Sequence, residues 1–376
     1  MKNKNLPLKL LACAVAIGLT SQASAALNLY NKDATTFSTD GLINTFYVNS
    51  HIDDNNDALD RTQSRVKMGF LPNYIGFNFG KEIDGLKLGA RSSFWVSVND
   101  ANTNLTSTGI DVRQFYGTID ADWGQVLIGK DFALFGRSNI MNDELLLGYG
   151  QVNGEGLIDG QGVSFGNIGA GYLYPFPNAQ ITYRSPVSNG FQLAIGIMDP
   201  SKSQYATTTL SPSEENTPRL EAELIFETQL SEGVPLKAWI SGMTQSSTKG
   251  TSDIDSNGVA YGVNVKVAGL SLTASGFDAS GAGAAGLANL VTADSADVNG
   301  YLMQASYTIG KERLVASYGE NSGGTSASAN DLDLQNSALA WFHTVNSNLK
   351  LVAEYDRTES KTRETDTVAL GAVLTW

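Results

Sequence analysis

The chain has 376 residues, 25 basic against 38 acidic side chains for a net charge of −13, one cysteine and two histidines. An acidic balance argues against nucleic acid as a partner, because such binding rests on basic side chains that neutralise phosphates. A single thiol rules out disulfides and zinc clusters, and His51 and His343, one near a loop and one near a turn, offer no metal site or serine–histidine hydrolase. No cofactor and no catalysis are therefore expected.

Lys2, Lys4 and Lys9 precede an apolar run from Leu10 to Leu19, and Ala23-Ser24-Ala25 follows as a small-residue cleavage site. Residues 1–25 read as a signal peptide, since a spanning helix needs about 20 apolar residues. Cys13 lies inside it, so the mature chain, 26–376, contains no thiol. That chain holds 22 basic against 38 acidic residues, a net charge of −16, and reads as one domain.

After a short piece at Leu27 to Tyr30, a long strand is predicted near Thr39 to Ser50. Further strands are predicted near 62–80, 86–98, 111–120, 124–130, 179–185, 190–198, 218–230, 235–244, 258–267, 270–277, 299–309, 313–320, 335–344, 348–357 and 366–376, sixteen long strands in all. Pro72 cannot donate to a ladder and predicts a bulge or split in the second. Seven short connections, such as Ile83-Asp84-Gly85 and Asn189-Gly190, alternate with eight long polar ones near 51–61, 99–110, 131–178, 199–217, 245–257, 278–298, 321–334 and 358–365. That alternation predicts an all-β fold, a transmembrane antiparallel β-barrel, with the short turns toward the periplasm. A soluble sandwich or solenoid does not predict it.

Side-chain parity supplies inside and outside. In the last strand Val368, Leu370, Ala372, Leu374 and Trp376 share one face. Near 218–230, Glu221, Glu223, Glu227 and Gln229 oppose Leu220, Ala222, Leu224 and Phe226. An apolar exterior and a charged, water-filled interior follow, and about sixteen strands are wide enough to enclose one. The run Asp53-Asp54-Asn55-Asn56-Asp57 lacks the glycine and glutamate spacing of a calcium loop and reads as a solvated connection.

The longest connection, about Asp131 to Asn178, holds Phe132, Phe135, Leu145, Leu146, Leu147, Tyr149, Phe165, Tyr172, Tyr174 and Phe176, enough apolar surface to pack. Its acidic members Asp143, Glu144, Glu155 and Asp159 are candidates for the narrowest point of a lumen, the alternative being the solvated top of the loop.

Val112-Arg113-Gln114-Phe115-Tyr116-Gly117 and then Asp122-Trp123-Gly124-Gln125-Val126-Leu127-Ile128-Gly129-Lys130 resemble the strand–turn–strand that leads into the constriction loop of general Gram-negative porins. Ala179-Gln180-Ile181-Thr182-Tyr183-Arg184-Ser185-Pro186, with Gly190-Phe191 after it, resembles the strand leaving that loop. In layout the likeness runs from Leu29-Tyr30-Asn31-Lys32-Asp33 to the aromatic last residue. Trp376 stands where such porins usually carry Phe, and Asn73-Tyr74 where many place an arginine.

The resemblance implies that the long loop folds inward to constrict the pore, with arginines on the facing wall. Arg184 matches the exit strand and points inward with Thr182; Arg91 shares the face of Gly89 and Ser93. Arg113 matches the entry strand, but its spacing to Gly117 is one residue shorter than in the family pattern, which leaves its direction open. For all three the alternative is a place at the surface rim. Opposed carboxylates and arginines create a transverse field that favours dipolar solutes over apolar ones. By resemblance the chain is a homotrimer in the outer membrane, surrounded by lipid and lipopolysaccharide, passing small hydrophilic solutes and ions. Its charge predicts weak cation selectivity. A substrate-selective channel of the same architecture, for dicarboxylates or another nutrient class, is the alternative.

Overall fold

The computed structural model describes residues 26–100, 109–152, 162–200, 213–249, 252–282, 297–323 and 333–376; the expected signal peptide lies outside the described residues. Nineteen strand segments form one antiparallel sheet. They are β1 (Leu27–Lys32), β2 (Thr35–Asp54), β3 (Arg61–Lys67), β4 (Asn73–Ile83), β5 (Leu86–Val96), β6 (Asp111–Ala121), β7 (Gly124–Phe132), β8 (Pro177–Arg184), β9 (Phe191–Met198) and β10 (Ser213–Glu214). There follow β11 (Arg219–Ser231), β12 (Val234–Lys249), β13 (Ser252–Val267), β14 (Leu270–Ser280), β15 (Asp297–Ile309), β16 (Glu312–Gly323), β17 (Leu334–Thr344), β18 (Leu349–Glu359) and β19 (Arg363–Thr375). A short helix, α1 (Arg137–Met141), lies between β7 and β8.

The segments make sixteen staves of a closed ring. Both β3 and β4 pair with β2, and the break between them holds Pro72, as its missing donor requires. The two-residue β10 extends the line of β11 against β12. At the seam β19 pairs with β2 from Asp54 to Leu42, and β1 pairs with the same strand from Thr39 to Thr35, so β1 takes over the line where β19 ends. Gly41 and Trp376 exchange both backbone hydrogen bonds, at 3.0 and 3.2 Å. The Trp376 indole lies directly over Gly41, where a Cβ would collide with it.

All seven expected short turns are present, and Asp84-Gly85, Asn189-Gly190 and Ala268-Gly269 each carry two successive positive φ angles, the backbone of a hairpin turn matched to strand twist. Two of the eight connections expected to be long are not. β12 reaches Lys249 and β13 resumes at Ser252, while only residues 360–362 separate β18 from β19. Their strands continue beyond the apolar band with polar residues on both faces, such as Ser246-Ser247-Thr248, so the apolar alternation fades before the ladder ends.

Along each stave exposed apolar residues alternate with buried ones. Ile181, Ile195, Ile197, Leu220, Ile240 and Leu370 are outward and exposed, part of an apolar outer band of the kind that transmembrane barrels present. Outward aromatics edge it near the short turns, where Trp123 stacks on Tyr183 and Phe191 on Phe226, 6.4 and 4.4 Å between centroids. Because the ladder closes on itself and leaves no edge to fray, folded protein should be strand-rich in detergent and shift its electrophoretic mobility only after boiling. A helical circular-dichroism spectrum, or a monomer soluble without detergent, contradicts this architecture.

Candidate functional site

Between β7 and β8 the chain turns into the barrel and lies against its inner wall. Backbone N–H groups outside a sheet need acceptors, and the inward carboxylates of the staves supply them. Leu134 and Phe135 both donate to Glu221 Oε2 (2.7 and 2.9 Å), and Gly136, at φ 72°, donates to Ser241 Oγ (3.1 Å). On α1, Ser138 donates to Glu223 (2.6 Å), while Asn139 accepts from the Trp239 indole (2.8 Å). Further on, Tyr149 and Gly150 donate to the two oxygens of Glu354 (3.0 and 2.7 Å) and Val152 to Thr358 (3.2 Å). Returning, Gly171 donates to Asn321 (2.8 Å). The loop is thus pinned from β11 round to β18.

Glu221 and Glu223 face inward as their parity requires. Water does not solvate them, however: both are buried beneath the loop, and Glu221 forms an ion pair at 2.8 Å with Arg219, which is equally buried. Carboxylates on this face compensate loop amides and arginines, which parity alone does not reveal.

Asp143 is 5 % exposed and accepts from Tyr172 Oη (2.6 Å), Gln304 Nε2 (2.7 Å), Asn167 Nδ2 (3.1 Å) and its neighbour Leu145 N (2.9 Å). Burial pushes its carboxyl upward, and these four donors oppose the shift. Glu144 pairs with Arg313 (3.0 Å) and accepts from Ser271 (2.6 Å) and Ser306 (3.0 Å), while its own N–H donates to Gln304 (2.8 Å). Both side chains therefore join the loop to β14–β16. Glu155 and Asp159 lie outside the described residues.

The three candidate arginines occupy the other side of the ring, on β5, β6 and β8. Arg91 binds both oxygens of Asp40 (2.7 and 3.0 Å), with Asn78 and Gln114 completing its shell, and it is buried. Arg184 approaches Glu223 at 3.8 Å. Arg113 points inward: a register shift opposite Ser93–Trp95 puts it over the inward Trp95 ring, 5.0 Å from the centroid, with a 3.0 Å bond to Tyr174 Oη and an ion pair to Asp111. That bulge turns Arg113 onto the inner face although it shares the parity of the outward Phe115. The structure gathers Arg91, Arg113 and Arg184 on one wall and Asp143 and Glu144 against the opposite one.

Sequence reading did not single out Arg137, Arg313, Lys350 or Glu354. Parity on β16 and β18 would have placed the last three inward; Arg137 lies on the loop, where no periodicity operates.

Replacing Asp143 by Ala strands three side-chain donors and costs about 1–3 kcal/mol for each that stays buried and unpaired. The loop of D143A should then be cut by protease in folded barrels that resist it in the parent. Equal cutting rates in both proteins contradict the anchoring role.

A family model described as Gram-negative porin matches residues 12–363. Comparison with curated protein sequences finds no match. Among solved structures, the outer-membrane channel DcaP of Acinetobacter baumannii is similar at a TM-score of 0.67 and 15 % identity, covering 93 % of this chain and 100 % of its own. An anion-selective porin from Comamonas acidovorans gives 0.65 and 14 %, covering 91 % and 100 %. A loop-deletion mutant of OmpT from Vibrio cholerae gives 0.60 and 17 %, covering 92 % and 100 %. With nearly its whole length matched by the family model, and with a closed sixteen-stave barrel crossed by an inner loop, the chain belongs to the Gram-negative porins and is an outer-membrane diffusion channel.

Proposed function

We propose that this porin passes small hydrophilic solutes and ions by passive diffusion, without catalysis, through a lumen whose local charge favours anions. The observation that carries this reading is the asymmetry of the three ion pairs around the loop. In Arg137–Asp131, Arg184–Glu223 and Arg313–Glu144 the side chains are 16, 15 and 20 % exposed on the arginine and 2, 1 and 13 % on the carboxylate, whereas Arg91–Asp40 and Arg113–Asp111, on the β5–β6 wall, run the other way. Beside the loop, water in the lumen meets guanidinium before it meets carboxylate, and a permeating ion responds to the nearest unscreened charge. The weak cation preference expected from a net charge of −16 assumes that the acidic side chains line the path. Of the inward glutamates on β11, only Glu227 is well exposed, and it is paired with Lys237 at 3.3 Å.

Reversal potentials across a KCl gradient decide the sign. Chloride preference at low salt, fading as the Debye length falls from about 10 Å at 0.1 M to about 3 Å at 1 M, is expected. Potassium preference restores the reading from net charge.

Three further features belong to the same proposal. The first mature residue is Ala26, which the mass of the exported protein checks. Lipid and lipopolysaccharide surround the apolar band. The protein is a homotrimer, supported by family and by the outward aromatic cluster of Phe37, Phe77 and Phe94 on β2, β4 and β5, centroids 6.1 and 6.4 Å apart; crosslinking should stop at three subunits.

A further inference from the structure

We infer that Lys350 and Arg313 form a binding station for one oxyanionic group, a carboxylate or a phosphate, of a solute in the lumen. The inference rests on the diffusion-channel reading and locates a stop within it.

Arg313 is the second residue of β16, just after one short turn, and Lys350 the second of β18, just after the next. Between them β17 contributes Phe342, opposite Arg313, and Thr344, opposite Lys350. These side chains and Thr308 line a recess of about 40 Å³ at the short-turn end of the lumen, below the anchor at Glu144. Such a volume holds a few waters or one carboxylate or phosphate head.

The occupants of the wall set its sign. Arg313 gives Nη1 to Glu144 Oε2 and Nη2 to the Glu144 carbonyl (3.0 and 2.9 Å), while Phe342 lies against its guanidinium plane, 4.3 Å from the ring centroid. A guanidinium carries five N–H groups, so two bonds leave others to give. Lys350 is only 9 % exposed, lines the recess, and makes no hydrogen bond or ion pair among the described residues. An ammonium with no protein partner, facing a recess of a few waters beside a second cation, has all three donors to offer to an anion that displaces that water. Lys311 also lines the recess and donates to the Val345 carbonyl, so Arg313, Lys350 and Lys311 against Glu144 leave two positive charges, and the hydroxyls of Thr308 and Thr344 can donate to further oxygens.

The experiment uses the full-length folded channel with inorganic phosphate or acetate as probe. In planar bilayers at constant ionic strength, either probe added on the short-turn side should lower the chloride current along a saturating curve. Lys350→Met should raise the half-saturating concentration about tenfold or more, the effect of losing a charge-assisted hydrogen bond, and Lys350→Arg should recover most of it. Lys266→Met, on the same inner wall but outside the recess, should leave it unchanged.

A second measurement needs neither conduction nor a variant. Acylation of the Lys350 amine in the parent protein, read by peptide mass spectrometry, should be slowed saturably by the probe, while Lys266 is not protected. Protection by phosphate alone assigns the station to phosphate-bearing solutes, and protection by acetate alone to carboxylates. Protection by neither, or equal half-saturation in parent and Lys350→Met, overturns the station. A folded protein that conducts nothing yet shows protection overturns the diffusion channel and leaves the station standing.

Discussion

Deleting residues 143–160 should raise single-channel conductance severalfold and admit larger solutes while the barrel stays folded. The reason is geometric: a ring of sixteen staves encloses more area than a selective pore needs, and the segment removed fixes the loop to β14–β16 and to Glu354 on β18. The ladder itself loses nothing, because each stave pairs with its two neighbours through backbone bonds that the loop does not share. The deletion does leave Glu354 without the amides of Tyr149 and Gly150, but in an opened lumen water can replace them. Unchanged conductance in correctly assembled protein contradicts the loop as the narrowing element.

The second large effect concerns where the loop enters. Replacing Glu221 by Ala removes the acceptor for two backbone amides and the partner of a fully buried arginine at once. Breaking a buried pair from one side costs about 3–5 kcal/mol, because the remaining charge keeps its desolvation cost and loses its compensation. Arg219 still donates to Asn178 (2.7 Å), which limits the loss. The E221A protein should unfold at a clearly lower temperature in the heat-shift assay and show flickering current as the start of the loop detaches. Glu221→Gln keeps an acceptor for the amides but not the charge, and should fall between the two. A melting temperature equal to the parent in both variants contradicts this account.

How far the sequence reaches follows from how local each signal is. A stave announces itself through a two-residue period within its own ten residues, so the seven turns, the break at Pro72 and the inward parity of Arg91, Arg184 and Glu221 were all readable. The partners of the loop were not. Glu144 meets Arg313, 169 positions away, and Tyr149 meets Glu354, 205 away, and no local pattern encodes such distances. Parity identified Glu221 and Glu223 as internal but said nothing about whether water or a loop amide would face them. For Arg113 parity left the direction open, because what turns it inward, one extra residue opposite Ser93–Trp95, exists only once two strands are in register.

The seam bears on how the molecule comes into being. The bonds between Gly41 and Trp376 join the beginning of the cylinder to the final residue of the chain, and β19 and β1 share one line against β2. No partial chain can therefore be a shorter version of the finished ring; until its last strand arrives it is an open sheet with two bare edges. Closing contacts of such long sequence separation are slow to form, and the edges they eventually hide are templates for mispairing in the meantime. Assembly must then be close to all-or-none, and the interval between delivery of the first strand and the last is when this protein is most exposed to aggregation.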